Sequence, residues 1–223
     1  MKPKAVVLLS GGLDSAVTLY SAINDGYECH CLSFDYGQRH RQELRCARQI
    51  ARKAGVTLHV VKLRMPWKGS SLLDTTKKLP LGRSVKTIKR GGIPSTYVPG
   101  RNTIFLSLAA SFAEAIGARA IFIGAHAEDS SGYPDCRAGY LKAFDHVVRI
   151  GTKRGLEGKL RLKFPLIKMG KSRIIKFGSA LGVPFGLTRS CYSNGGTPCG
   201  TCDSCVLRAK GFREAGLKDP VYA

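Results

Sequence analysis

Residues 9–15 read Leu-Ser-Gly-Gly-Leu-Asp-Ser, so Leu9, Ser10, Gly11, Gly12, Leu13, Asp14 and Ser15 bring two hydroxyls, two glycines and a carboxylate into one turn. The turn follows an apolar run, Ala5 to Leu9. It precedes apolar residues at helical spacing: Val17, Leu19, Tyr20 and Ile23. A buried strand that bends through glycines into a helix N-terminus is an anion site. The backbone can approach closely, and the first helical N–H groups lack partners. Ser10 and Ser15 add hydroxyl donors. Asp14 would repel a phosphate directly, which points to a bound Mg²⁺ as mediator. The expected chemistry is polyphosphate binding. The string is neither a Walker A loop nor a dinucleotide G-x-G-x-x-G, because the glycines and the lysine those motifs need are missing.

A second cluster lies near the other end. Cys191, Cys199, Cys202 and Cys205 form C-x7-C-x2-C-x2-C, with Gly195, Gly196 and Gly200 supplying tight turns. Four thiolates this close suit a tetrahedral metal, and with every position filled by protein a zinc ion there would be structural. Its binding would stabilise a segment with few other core residues. An iron–sulfur cluster is the rival occupant of such spacing. Cys29, Cys31 and Cys46 read as small core hydrophobes, and Cys136 stands alone.

The elements that must position these groups alternate. A strand is expected at Ala5–Leu9, a second at His30–Phe34, a helix at Gln42–Ala54 ending at Gly55, and a third strand at Val56–Leu63. A helix follows at Asn102–Ile116, with Ile104, Leu108, Phe112 and Ile116 on one face. Then come a strand at Ala120–Gly124, a helix at Ala138–Ile150, a short strand at Lys163–Ile167 and a helix at Ser172–Leu181. The pattern predicts an α/β fold, a doubly wound, mainly parallel Rossmann-like sheet with ligands beyond the strand C-termini. Residues 66–100 lack periodicity and hold four prolines, which reads as a flap or an insertion. The expected division is 1–185 for the α/β domain and 186–223 for a small zinc-binding segment.

With 223 residues, 43% hydrophobic and 23% charged, the chain can bury one sizeable core. No apolar run approaches the roughly 20 residues that span a bilayer. The first strand begins at once, so no signal peptide is expected, and the cytoplasm is the expected compartment. Thirty-six basic against fifteen acidic residues give +21. Residues 75–113 hold seven bases and no acid. Such a field attracts nucleotides, acidic metabolites and nucleic acid alike. Direct nucleic-acid binding is therefore open but not favoured.

The loop at 10–15 resembles the SGG-x-DS loop of the ATP pyrophosphatase, or PP-loop, superfamily. The resemblance sharpens over nearly the whole chain. FDYGQRHRQE (34–43), PGRN (99–102), EDSSGYPDCR (128–137), FPLIKMGKSRII (164–175) and CGTCDSCVLRAKGF (199–212) are similar to the 7-cyano-7-deazaguanine synthase family. That resemblance implies an ATP-dependent carbon–nitrogen ligase of the adenine nucleotide alpha hydrolase-like fold. It would convert 7-carboxy-7-deazaguanine and ammonia to the nitrile, through an acyl adenylate and an amide, in queuosine or archaeosine biosynthesis. It implies ATP, Mg²⁺ and structural Zn²⁺ as cofactors, and a homodimer.

On this reading the 9–15 loop cradles pyrophosphate, and Asp14, Ser15, Arg101 and Lys171 are the catalytic candidates. Arg101 and Lys171 would stabilise charge developing on the phosphates. Tyr133, Asp135 and Arg137 are the expected substrate-binding set. An aromatic, an acceptor and a cation suit a guanine-like base that bears a carboxylate. Arg39, His40 and His126 are further candidates. Arg173 departs from the acidic residue common after the lysine in that family, and the basic segment from Lys77 to Arg90 is a second departure. The alternative is a tRNA-modifying ATP pyrophosphatase of thiolation or lysidine type, for which Cys136 would be the available thiol.

Overall fold

The structure, a computed structural model, describes residues 1–39, 42–128, 132–193 and 195–222, apart from the side chain of Lys89. His40 and Asp129 lie outside the described residues. Five strands form one parallel sheet: β1 (Lys4–Leu8), β2 (Glu28–Asp35), β3 (Thr57–Lys62), β4 (Ala120–Phe122) and β5 (Arg161–Lys163). Their order is β3-β2-β1-β4-β5. Val6 pairs with His30 on one side and Ile121 on the other. The order grows outward from β1 in one direction and then in the other. The crevice beside the C-terminal end of β1 is therefore the topological switch point where ligands bind.

Helices cover both faces: α1 (Leu13–Asn24), α2 (Gln42–Ala54), α3 (Val85–Arg90), α4 (Arg101–Ala115), α5 (Ala138–Gly151), α6 (Lys153–Leu156), α7 (Lys171–Ala180) and α8 (Asp203–Ala215). Period-two geometry sorts the strand residues. Ala5, Val7 and Leu9 share a core with α1, α2, α7 and α8. Val6 and Leu8 share the other with α4 and α5. A strand buried on both faces reads as a continuous apolar run, which is why β1 shows no alternation in the sequence. Burying each of these valines and leucines contributes about 1.5–3 kcal/mol.

Two local expectations need correction. The fifth strand is Arg161–Lys163, not Lys163–Ile167. Pro165 has no N–H for a ladder, and the chain instead turns, with Ile167 N–H donating to Phe164 O (3.2 Å) and Met169 N–H to Leu166 O (2.8 Å). The 66–100 segment is irregular except for α3, whose N-cap Ser84 accepts from Thr87 N–H at 3.2 Å. Six residues rich in Lys and Arg carry too little apolar stripe to announce a helix.

The C-terminal helix joins the main core. Phe212 of α8 meets Phe185 edge-on at 5.4 Å. At Gly211 a Cβ would lie 2.4 Å from Lys171 Cγ and 2.8 Å from Ile175 Cδ1. Only glycine lets α8 press this closely on α7.

Candidate active site

β1 delivers the chain to Leu9, and the loop then folds on itself. Ser15 Oγ accepts from Ser10 N–H at 3.2 Å and donates to Gly12 O at 3.0 Å. Ser10 Oγ accepts from Gly12 N–H at 3.2 Å. Gly11 has φ +93°, and a Cβ there would lie 2.2 Å from Glu43 O, so this turn requires glycine both for its conformation and for α2 packed against it. Gly12 caps α1 with no side-chain hydrogen bond. The helix N-terminus beyond it keeps the field that attracts anions.

In the first turn of α1, Asp14 meets two groups from distant elements. Lys171 Nζ, at the start of α7, donates to its two carboxylate oxygens at 2.8 and 2.9 Å. His126 Nε2, just past β4, lies 2.9 Å from the same Nζ and 3.7 Å from Asp14 Oδ2. The side chains of His126, Lys171 and Asp14 are 3%, 11% and 26% exposed, so the trio is enclosed with its carboxylate nearest to solvent. Burial pushes the Asp14 carboxyl up. The charges of the adjacent Lys171 and His126, with hydrogen bonds from Lys171 and from the Asp14 backbone, outweigh it and hold the group below the usual aspartate range.

Two cavities meet at Asp14. The larger, about 1220 Å³ including its mouth, runs from the loop across the ends of β1 and β2 to α4. Leu9, Ser10, Gly12, Ser15 and Arg101 are on its wall. Arg101 Nη1 donates to the Tyr36 hydroxyl at 3.1 Å, which fixes the guanidinium at the floor. The smaller, about 770 Å³, lies between the 66–100 segment, the turn after β4, α7 and α8, with Leu13, His126, Tyr133 and Lys171 on its wall. Asp14, Ser190, Tyr192 and Ser204 belong to both.

The structure thus brings together the loop residues, Arg101, Lys171 and Tyr133. The other two expected substrate residues lie elsewhere. Asp135 Oδ2 accepts from Asn102 N–H at 2.9 Å, so this carboxylate is committed to the N-terminus of α4. Arg137 is exposed at the start of α5 and lines neither cavity. Arg39 donates to Asp74 O at 2.7 Å and lines neither cavity, and Arg173 is exposed on α7.

One contributor escaped the sequence. Arg189 is buried, with its guanidinium on the carbonyls of Ser193, Gly195 and Gly196 and its own N–H donating to Gly11 O at 2.9 Å. It ties the loop between Cys191 and Cys199 to the phosphate loop. Its only sequence signal is its place beside the cysteines.

The four clustered sulfurs converge, all within 4.8 Å of one another. A tetrahedral zinc with Zn–S bonds of about 2.3 Å sets sulfurs about 3.8 Å apart, so the donor set fits a metal ion. Backbone N–H groups of Ser193 and Cys199 point at Cys191 Sγ, each at 3.3 Å, as suits a thiolate. Cys205 is brought down to about 5, chiefly by a hydrogen bond from Cys202, with a further one from Tyr222, against the opposing effect of burial. Cys29 and Cys31 are core residues, and burial pushes the Cys29 thiol up to about 12.

A parallel sheet with a glycine-bent phosphate loop at its switch point defines a nucleotide-binding α/β enzyme of the PP-loop class. Residues 4–216 match the family described as Queuosine biosynthesis protein QueC, and the chain belongs to that family. It is 53% identical over 225 residues to the 7-cyano-7-deazaguanine synthase of Nostoc punctiforme, covering 99% of this chain and 100% of that one. It is 52% identical to the enzyme of the same name from Anaeromyxobacter dehalogenans, covering 97% and 94%. Among solved structures, the NMN synthetase of Francisella tularensis superposes with a TM-score of 0.51 at 14% identity, over 97% of this chain and 79% of that one, and so shares the fold. No helix among the described residues is long and apolar enough to cross a membrane.

Proposed function

We propose that this chain is an ATP-dependent ligase that makes 7-cyano-7-deazaguanine from 7-carboxy-7-deazaguanine and ammonia. The observation that carries the proposal is the meeting of two cavities at Asp14, within a chain of this family. The larger takes ATP, with its pyrophosphate end on Ser10, Gly12 and Ser15 and the α1 N-terminus. The smaller takes the deazapurine, with Tyr133 as an aromatic wall. The carboxylate and the α-phosphorus then come together near Asp14, Lys171 and Arg101.

The reaction runs twice over the same atoms. A carboxylate oxygen attacks the α-phosphorus, and the bond to pyrophosphate breaks. Ammonia adds to the activated carbonyl and expels AMP, leaving the amide and a proton. The amide oxygen attacks a second ATP in the same way. Loss of AMP and a proton then leaves the C≡N bond. Both rounds need an oxygen on one ring carbon in line with one phosphorus, so a single arrangement serves for both. Lys171 and Arg101 offset charge gathering on the phosphate oxygens, and removing one such group costs about 10²–10³-fold in rate. Asp135 acts indirectly, by holding the N-terminus of α4 and with it Arg101. Mg²⁺ beside Asp14 would screen the polyphosphate charge. Zinc on Cys191, Cys199, Cys202 and Cys205 would be structural. A homodimer in the cytoplasm completes the reading.

Mass spectrometry of a reaction with the carboxy-deazaguanine, ATP, Mg²⁺ and ammonium tests it. Two AMP and two pyrophosphate per nitrile are expected. ATP consumed with no nitrile or amide formed would reject the substrate.

A further inference from the structure

Residues 81–96 of the irregular segment are fastened at both ends beside the smaller cavity. At one end, Leu81 and Cys202 form an antiparallel bridge. Gly82 N–H donates to Thr201 O at 2.9 Å. Arg83 then grips Asp203 with two bonds, Nε to Oδ1 at 3.0 Å and Nη2 to Oδ2. Asp203 is buried and sits between two of the clustered cysteines, Cys202 and Cys205. At the other end, Thr96 Oγ1 lies 2.8 Å from the Tyr133 hydroxyl. Between the two attachments, Ile88, Gly92 and Pro94 line the cavity. The segment is therefore a strap from the cysteine cluster to Tyr133, with its inner side on the proposed acceptor site.

We propose that Arg83 and Asp203 form a latch that holds this strap over the acceptor cavity, and that the metal-bound cysteine cluster sets the latch. The bidentate pair is directional and partly shielded, so it fixes a geometry that a lone surface lysine would not. A metal held by Cys202 and Cys205 would fix the backbone of 201–203, and the three successive contacts at Leu81, Gly82 and Arg83 would carry that order into the strap. Arg83 and Asp203 are positioning residues on this account. The role assigned to the cavity rests on the ligase reading above, whereas the latch itself does not.

Limited trypsin digestion of the full-length, metal-loaded protein tests the latch without reference to any substrate. Lys86 and Arg90 are exposed bases of α3. In the parent they should be cut slowly. Arg83→Met or Asp203→Asn should speed cleavage there about tenfold, by raising the population of the open strap, with bound metal unchanged. Removing the metal with a chelator should give the same pattern. The exchanged pair, Arg83→Asp with Asp203→Arg, should restore protection in part. Cleavage at the parent rate in both single variants would overturn the latch. Protection that survives chelation would overturn the metal's part in it. The second readout is kinetic: KM for the carboxy-deazaguanine should rise about tenfold while KM for ATP stays near the parent value. Equal rises in both would overturn the assignment to the acceptor side. Altered cleavage in a protein that makes no nitrile would reject the ligase reading and leave the latch standing.

Discussion

Lys171 Nζ bridges the two oxygens of Asp14 at 2.8 and 2.9 Å, a contact between residues 157 positions apart. It joins the first turn of α1 to the first turn of α7, and His126 closes the trio from the end of β4. The ammonium is thereby held beside the glycine turn at 10–15 by protein groups alone.

Lys171→Met and Asp14→Asn should both fold and both lose pyrophosphate release by about 10²–10³-fold, the usual cost of deleting one preorganised charge. A coupled pyrophosphate assay checks this. Parent-like turnover in both would take the trio out of the mechanism.

The depressed Asp14 carboxyl gives a pH dependence of defined sign. Unfolded, Asp14 titrates at about 3.9, and folded it titrates lower, so its contact stabilises fully above that value and fades only as pH falls through the folded one. Because Asp14 is partly exposed, the parent should exceed Asp14→Asn by only about 1 kcal/mol. Urea midpoints should show this gap constant from about pH 8 to 5 and narrowing below about 4. A gap that stays unchanged down to about pH 3 would take the Asp14 carboxylate out of the effect.

Gly211→Ala should act at a distance. The new methyl falls 2.4 Å from Lys171 Cγ, so α8 must retreat or the lysine must shift. Overpacking of this kind costs about 1–3 kcal/mol. Thermal melting should drop and pyrophosphate release with it, while Arg213→Ala on the exposed side of α8 changes neither.

Cys136→Ser should retain nitrile formation. Cys136 Sγ accepts from Asn102 Nδ2 at 3.1 Å, and a serine hydroxyl can accept the same bond. Complete loss of activity would point to sulfur chemistry at this residue.

What the sequence disclosed was local. The 10–15 loop and the four cysteines are close enough along the chain for spacing alone to carry their chemistry. The strand and helix alternation was equally plain, because burial on one or two faces writes a period. Partnerships across the fold were not written that way. Asp135 reads as a recognition residue by type, and its contact with Asn102 N–H crosses a distance no periodicity encodes. Arg83 read as one base among many in a basic segment until Asp203, 120 residues later, gave it a contact. Arg189 lies in the string LTRSCY (187–192), but its role was not legible there, since its guanidinium binds backbone carbonyls that any residues could offer.

The two chambers share Asp14, Ser190, Tyr192 and Ser204, and their remaining walls differ, one between the sheet and α4, the other beneath the strap. On the proposed reading, spent AMP would be exchanged for fresh ATP on one side while the half-finished amide stayed on the other. Such an enzyme would work processively, and unlabelled amide added to the solution would scarcely dilute the isotope carried from acid to nitrile.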